Sequence, residues 1–379
     1  MRELVAIDLA AGPAFITALR QIWDHGDTAF PLDQRLPVPA RTALLDAIRP
    51  HRLLADPATP PTALHLDAPP LADGDALVVA SSGTSGAPKA VVHTHAALAA
   101  HAAAVHARLG VDPATDRWLA CLPLAHVGGL GVVVRALITD TPLDVLDGFH
   151  ADVVADAPTE LGTTLVSLVP TALDRLDPAP FRWVVLGGSG DDRTRPANVV
   201  HTYGLTETGG GVVYDGTPLP GCEVHIDGSD HIALRGPMLA RGVRQPDQES
   251  LTAVVDEQGW LRTGDLGSWA DDGRLEVHGR ADDLIVTGAE NVWPTAVEAA
   301  IGSMASVREV AVMGRPDPEW GERVVAVVVP VEADRPPSLD EVRDHVRAHL
   351  PAYAAPRELV LTDALPRSAL GKIRRADLS

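Results

Sequence analysis

The sequence predicts an α/β protein in two parts: a large N-terminal α/β domain, residues 1–279, that includes a small β subdomain, and a C-terminal α+β domain, residues 280–379. Three observations support this. Between residues 76 and 200, short β-branched runs alternate with Ala-rich helical patterns, as strands covered by helices in parallel layers do. Between Cys222 and His278 the helical period fades into short strands separated by Gly and Asp turns. After Arg280-Ala281-Asp282-Asp283 a fresh strand and helix pattern begins.

The opening is the least patterned stretch: one helical period runs from Phe15 to Asp24, and Pro-rich connecting sequence follows around Pro57 to Pro70. Leu77–Ala80, Thr163–Val169 and Arg182–Leu186 are the strand-like runs, and Ala96–Leu109 is a helix closed by Gly110, which can take the left-handed conformation at a helix end. In the C-terminal part a strand precedes a helix from about Trp293; the Val-rich strand Val324–Val329, a helix over Leu339–Leu350 and a last strand follow. No repeat of fixed period and no low-complexity tract appears.

A chain of 379 residues fits two or three domains of about 100 to 200 residues. Hydrophobic residues make up 46% but aromatics only 4%, so the core is Ala/Val/Leu-rich. Acidic residues outnumber basic ones 51 to 31, and the net charge of −20 argues against a sequence-independent grip on nucleic acid or anionic lipid. An anionic ligand must be held locally. Cys121 and Cys222 form neither a CxxC pattern nor a disulfide framework, which fits a reducing cytosol. Glu3 and Asp8 interrupt the start, and no apolar run reaches the roughly 18 residues of a membrane span.

The segment Ser81-Ser82-Gly83-Thr84-Ser85-Gly86-Ala87-Pro88-Lys89 follows a buried-looking strand. Glycines let backbone N–H groups approach an anion, while the hydroxyls and the ammonium add directed donors and charge. A Walker A loop requires Gly-Lys-Ser/Thr, and Pro88-Lys89-Ala90 stands in that place. A surface linker explains the Ser and Gly but not the terminal lysine. Of 31 basic residues only Lys89 and Lys372 are lysine. A chain that otherwise uses arginine has kept two compact ammonium groups, both in Gly-containing segments, where a point charge on a flexible stem differs from a planar fork.

Taken with this loop, Tyr203-Gly204-Leu205-Thr206-Glu207, Thr263-Gly264-Asp265-Leu266, Gly279-Arg280-Ala281-Asp282 and Pro366-Arg367-Ser368-Ala369-Leu370-Gly371-Lys372 resemble the ordered motifs of the acyl-adenylate-forming superfamily, which includes acyl-CoA synthetases, luciferases and peptide-synthetase adenylation domains. Five motifs in order over residues 81–372 are a specific signal. The resemblance implies a hinge between the two parts and a mobile C-terminal lid. Leu122–Leu130, Gly209–Gly216 and Gly288–Pro294 are most similar to the 2-succinylbenzoate–CoA ligases of menaquinone biosynthesis, in particular the compact actinobacterial ones. The resemblance therefore implies an ATP- and magnesium-dependent cytoplasmic ligase that converts a small carboxylic acid to acyl-AMP and then to a thioester of coenzyme A.

It also implies roles for individual residues. Ser81, Ser82, Gly83, Thr84, Ser85, Gly86 and Lys89 embrace the phosphates, Thr206 reaches the α-phosphate, and Glu207 serves the magnesium site. Tyr203 lies against adenine, Gly204 belongs to the same string, and Gly187, Gly188 and Ser189 shape the base pocket. Asp265 accepts hydrogen bonds from both ribose hydroxyls, and Arg280 adds a ribose or phosphate contact. Asp282 is the pivot, His126 stands beside the acyl carboxylate, and Lys372 stabilises charge during adenylation. Read without the resemblance, Thr206-Glu207 is also a helix cap, Tyr203 a core ring, Asp265 a turn residue and His126 a structural histidine. His93 and His95 are read as structural or solvated. No cation is assigned to the second carboxylate of succinylbenzoate. Another aryl or acyl acid, a carrier-protein thiol, and a non-catalytic nucleotide-binding descendant stay open.

Overall fold

A computed structural model describes residues 2–65, 67–69, 71–82, 88–188, 195–245, 250–288, 290–367 and 373–378. They form two compact units, one built chiefly from the first 262 residues and one chiefly from Thr263 onward, with Ile226–Ile232 belonging to the second.

The larger unit begins where the sequence shows least pattern. β1 (Leu4–Ile7) is buried throughout, and Glu3 and Asp8 bound it instead of breaking it. α1 (Pro13–Asp24) starts on a proline, which costs a helix nothing in its first turn, and buries Phe15, Ala18, Leu19 and Ile22 at helical spacing. Each large apolar side chain so buried contributes about 1.5–3 kcal/mol. β2 (Thr28–Pro31), α2 (Val38–Ile48), β3 (Arg52–Leu54) and β4 (Thr62–Ala63) complete an opening whose strands and second helix the sequence reading leaves out. β5 (Asp75–Ser82) runs parallel to β2 but antiparallel to β6 (Pro88–Thr94). The region read as wholly parallel thus opens with a hairpin, because the short connection between these strands has no length for a crossover helix. α3 (His95–Leu109) is capped by Thr94, whose Oγ1 accepts from Ala97 N at 3.1 Å, and closed by Gly110 at φ 61°.

The second sheet follows the alternating pattern. β7 (Trp118–Ala120), α4 (Val127–Ile138), β8 (Leu143–Val145), α5 (Ala151–Glu160), β9 (Leu165–Leu168), α6 (Pro170–Leu173), β10 (Trp183–Leu186) and β11 (Val199–Leu205) give parallel strands in the order β11-β10-β9-β7-β8. β12 (Gly210–Tyr214) and β13 (Thr217–Pro218) extend it antiparallel beyond β11. α3 packs on β5 and β6, α4 on β7 and β9, and the two helices on each other, so this pair joins the two sheets.

β14 (Glu223–Ile226), β15 (His231–Arg235), β16 (Gly242–Arg244), β17 (Thr252–Ala253), β18 (Leu261–Trp269) and β19 (Leu275–Arg280) are the short strands expected after Cys222. They do not all stay together. β16 pairs antiparallel with β6 and brings β17 with it, making the first sheet eight-stranded, while β14, β15, β18 and β19 form a sheet of four.

The smaller unit continues with β20 (Ile285–Thr287), β21 (Glu290–Val292), α7 (Pro294–Gly302), β22 (Val307–Asp317), β23 (Gly321–Pro330), α8 (Leu339–His349) and β24 (Glu358–Leu361). β23 is buried on both faces. Val324, Ala326 and Val328 pack with Val297, Ile301, Val342 and Val346, whereas Val325, Val327 and Val329 pack with Ala311, Leu365 and Leu378. The compact units divide earlier in the chain than the 279/280 boundary read from pattern. β19 pairs with β18, placing Arg280 opposite Asp265, and is tied to α7 where His278 stacks on Trp293 and Thr295 Oγ1 donates to the His278 carbonyl at 3.1 Å.

Candidate active site

The motif residues of the larger unit collect at the carboxyl ends of neighbouring parallel strands, where open α/β sheets hold ligands. β10 runs out into Gly187 and Gly188, and β11, in register with it at Leu186 and His201, runs out into a 3₁₀ turn, Thr206–Thr208. Thr202 Oγ1 donates to the Leu186 carbonyl at 3.0 Å and Gly187 N to the Leu168 carbonyl at 2.9 Å, tying three strand ends together. Gly188 sits at φ 108°, a conformation that favours glycine. Tyr203 is half-buried on β11 opposite Val213.

The turn is built with little freedom. Thr208 is fully buried; its hydroxyl accepts from Leu205 N at 2.8 Å and lies 2.6 Å from the Gly210 carbonyl. A Cβ on Gly204 would sit 2.1 Å from the Gly210 carbonyl oxygen, so β11 and β12 meet here backbone to backbone. Two histidines hold the turn from the neighbouring layer. His93 of β6 donates from Nε2 to the Thr206 carbonyl at 2.9 Å, and His101 of α3 donates from Nε2 to the Gly211 carbonyl at 2.9 Å. Burial pushes His93 down to about 4 and His101 to about 3, so both are neutral pins. With its backbone fixed, and Ala240 N donating to the Glu207 carbonyl at 2.8 Å, the turn presents the side chains of Thr206 and Glu207, which make no hydrogen bond among the described residues.

Beside the turn lies a cavity walled by Leu77, Val79, Leu98, Val127, Leu130 and Val134. His93, His101, Gly131, Gly209 and Arg135 complete it. Arg135 is 4% exposed and lies 4.8 Å over the Trp118 ring; among the described residues it reaches only Ser167 Oγ, at 3.5 Å, and its Nε has no partner. Burial lowers its pKa from the ordinary guanidinium value. Among the described residues no carboxylate pairs with it, an expensive state for a buried cation.

His126 immediately precedes α4, one residue before Val127, which lines the cavity. Its Nε2 lies 2.9 Å from Arg35 Nη2 and 3.2 Å from Asp33 Oδ2. Asp33 is 3% exposed; burial acts to raise its pKa, but hydrogen bonds from Arg35 outweigh this and hold the carboxyl well below the usual range. Lys89 stands opposite Ser81 at the end of the β5–β6 hairpin, half-buried and without an ion pair among the described residues. The Ser82 side chain, Gly83, Thr84, Ser85, Gly86, Ser189 and Lys372 lie outside the described residues.

In the smaller unit Asp265, 6% exposed, has Arg280 Nη1 at 3.4 Å. The same guanidinium nitrogen donates to the Thr263 carbonyl at 2.9 Å, and Asp265 N donates to Thr263 Oγ1 at 3.0 Å. Gly264, at φ 74°, lets the chain turn under Arg280. Asp282 is exposed in the 3₁₀ turn Ala281–Asp283. Beyond β24 the chain is pinned by a bridge between Arg367 and Ile373 and by Arg375, which donates to Asp283 Oδ2 at 2.9 Å and to both carboxylate oxygens of Glu298 at 2.8 and 2.9 Å.

Residues 14–242 match the model of the AMP-binding enzyme family, and residues 296–372 that of the AMP-binding enzyme C-terminal domain. The chain belongs to the AMP-binding enzymes. It is 40% identical over 328 residues to a probable 2-succinylbenzoate–CoA ligase of Mycobacterium tuberculosis, covering 81% of this chain and 84% of that one. It is 34% identical over 341 residues to an indoleacetate–CoA ligase of Aromatoleum aromaticum, covering 80% of this chain and 66% of the relative. In structure it resembles the o-succinylbenzoate CoA synthetase of Bacillus subtilis, solved with its acyl-adenylate intermediate, at TM-score 0.86 and 26% identity over 99% of this chain and 87% of that one. The same synthetase with ATP and magnesium ion also superposes at TM-score 0.86, over 99% of this chain and 89% of that one.

Within this AMP-binding enzyme the structure adds residues that sequence reasoning missed. Asp33 and Arg35 fall in the unpatterned opening, Arg135 resembles any arginine of a helix, and His101 is one of 15 histidines; His93, read as structural or solvated, is structural. The only signal for Arg135 was its position among the apolar residues of α4, where a cation is out of place.

Proposed function

We propose that this AMP-binding enzyme is a 2-succinylbenzoate–CoA ligase acting in menaquinone biosynthesis in the cytoplasm. The observation that carries the choice of acid is Arg135. A guanidinium buried behind the Thr206 turn, with no carboxylate partner among the described residues, suits an acid bearing a second carboxylate better than it suits a monoacid such as indoleacetate.

In the first step an oxygen of the substrate's aliphatic carboxylate attacks the α-phosphorus of ATP; the acyl–phosphate bond forms and pyrophosphate leaves. In the second, the thiol of coenzyme A loses its proton, its sulfur bonds to the acyl carbon, and AMP leaves. Thr206 is offered to the α-phosphate by a turn whose Thr206 carbonyl is committed to His93 and whose following strand is held at Gly211 by His101, so its hydroxyl needs little reordering. Lys89 and the loop of residues 83–87 receive the other phosphates. Glu207 is a single carboxylate without an ion pair among the described residues, which fits magnesium's habit of binding one or two carboxylates plus substrate phosphates. The metal would supply charge neutralisation on the phosphates. Asp265 takes the ribose hydroxyls with Arg280 beside it, Tyr203 and Gly187–Gly188 receive the base, and Lys372 supports adenylation before the lid turns about Asp282.

The test is a panel of acids assayed with ATP, with and without coenzyme A, reading thioester and AMP. Thioester from 2-succinylbenzoate far above that from benzoate, indoleacetate or a fatty acid supports the proposal. Acyl-AMP without a thioester would point to a carrier-protein thiol, and absence of ATP–pyrophosphate exchange with every acid to a non-catalytic nucleotide-binding protein.

A further inference from the structure

We infer that Asp33 and Arg35 are positioning residues that hold the His126 imidazole by Nε2 and fix its proton on Nδ1, so that the ring meets the acid as a hydrogen-bond donor through Nδ1.

The constellation is built to be rigid. Arg35 grips Asp33 in a two-pronged pair, Nε to Oδ1 at 2.9 Å and Nη2 to Oδ2 at 2.7 Å, and the Arg35 backbone N–H adds a third bond to Oδ1 at 3.0 Å. A fork of this kind sets the plane of the guanidinium as well as its place. Nη2 carries two hydrogens, and with one on Asp33 Oδ2 the other is free for His126 Nε2, 2.9 Å away. Guanidinium can only donate, so the atom it meets must bring a lone pair. Asp33 Oδ2 is farther from Nε2, at 3.2 Å, and is already served by the same Nη2. A neutral ring whose Nε2 accepts has its proton on Nδ1.

That tautomer matters at this place. A carboxylate bears only acceptor lone pairs, so a histidine offering Nδ1 as a lone pair would repel it. His126 opens the helix whose Val127, Leu130 and Val134 line the cavity, and its ring is 28% exposed. With Nε2 committed, Nδ1 is the remaining polar atom of the ring. Arg35 itself is half-exposed. Asp33 serves to aim it, and the aim passes to the imidazole.

This inference rests on the reading that His126 stands beside the acid, so its test has an arm independent of turnover. Two-bond proton–nitrogen correlation spectra of ¹⁵N-histidine-labelled protein, with the His126 signals assigned by their loss in His126→Asn, are expected to show the Nδ1–H tautomer in the parent protein and its loss in Arg35→Met. An Nε2–H tautomer in the parent overturns the inference, whatever acid the enzyme uses. The second arm is kinetic. Asparagine places an amide N–H where Nδ1 stands, and glutamine places one where Nε2 stands. His126→Asn is therefore expected to keep kcat/KM for the acid within about 10-fold, the worth of one hydrogen bond, while His126→Gln falls further. Arg35→Met raises KM for the acid about 10-fold and leaves KM for ATP unchanged, with partial recovery in Arg35→Lys. Because Arg35 acts through Nε2, which asparagine lacks, Arg35→Met adds nothing in the His126→Asn background. Additive losses in the double variant, or better activity in His126→Gln than in His126→Asn, would contradict the assignment. If the parent turned over no acid at all, the proposed function would fall while the spectra still decided the tautomer.

Discussion

Lowering the pH should strike the nucleotide turn through the two histidines that hold it. His93 and His101 are fully buried, with folded pKa values near 4 and 3 against an ordinary value of 6.5. Because the folded values are depressed, the unfolded chain binds more protons below pH 6.5. Their contribution to stability is thus intact above that pH and is lost as pH falls from 6.5 toward 4. Between pH 7.5 and 5.5 each histidine should take away about 1.3 kcal/mol, and the pair about 2.7 kcal/mol, by proton linkage. That is a sizeable part of a typical stability of about 5–15 kcal/mol. Urea unfolding at both pH values, on the parent and on His93→Gln/His101→Gln, measures it. Glutamine keeps an amide N–H near the place of Nε2 but does not titrate. Other histidines whose pKa burial lowers, such as His106 at about 4, contribute alike to both proteins. The double variant should lose about 2.7 kcal/mol less than the parent over this interval. An equal loss in the two proteins would refute the view that these neutral imidazoles pin the turn.

Gly204→Ala should destabilise by about 1–3 kcal/mol and abolish turnover, since its Cβ would meet the Gly210 carbonyl oxygen at 2.1 Å and force β11 from β12; thermal unfolding checks it. Asp265→Ala should weaken AMP binding about 5- to 150-fold, corresponding to about 1–3 kcal/mol for unpaired ribose hydroxyls, in a protein that calorimetry shows to be folded; unchanged affinity would return Asp265 to a structural role. Lys372→Ala should cut adenylate formation by about 10²- to 10³-fold, by analogy with loss of one preorganised charge-stabilising group, while presupplied acyl-AMP still yields thioester. Equal loss in both half-reactions would count against the lid mechanism.

What was legible in the sequence is what depends on near neighbours along the chain. α1 is visible from its apolar spacing, α3 because an Ala-rich run ends at Gly110, and the valines of β23 because a strand buried on both faces is apolar throughout. β1 is too short to announce itself between Glu3 and Asp8, and its stability comes from the strands on either side. β16 reads as part of a β subdomain, yet its partner β6 lies more than a hundred residues earlier. The motif string from Tyr203 to Glu207 marked the turn, but not why it is firm. His93 and His101 reach it from elsewhere in the chain, and Gly204 is set by an approach between strands. Arg135, Asp33 and Arg35 escaped for the same reason: a buried charge with no carboxylate beside it among the described residues, or a hydrogen-bonded trio, is a fact of space.

The most direct test of the proposed substrate sets two acids against one residue. Purified enzyme and Arg135→Met are given ATP, magnesium, coenzyme A and either 2-succinylbenzoate or a monoacid of similar size that lacks the aromatic carboxylate, and kcat/KM for thioester formation is measured for each. Breaking a buried charge pair of this kind typically costs about 2–5 kcal/mol, so the preference for the diacid should be strong in the parent and fall on the order of 10²-fold or more in Arg135→Met, with the monoacid nearly unaffected. Comparable kcat/KM for the two acids in the parent, or an undiminished preference in the variant, would contradict the assignment of Arg135 to the second carboxylate of 2-succinylbenzoate.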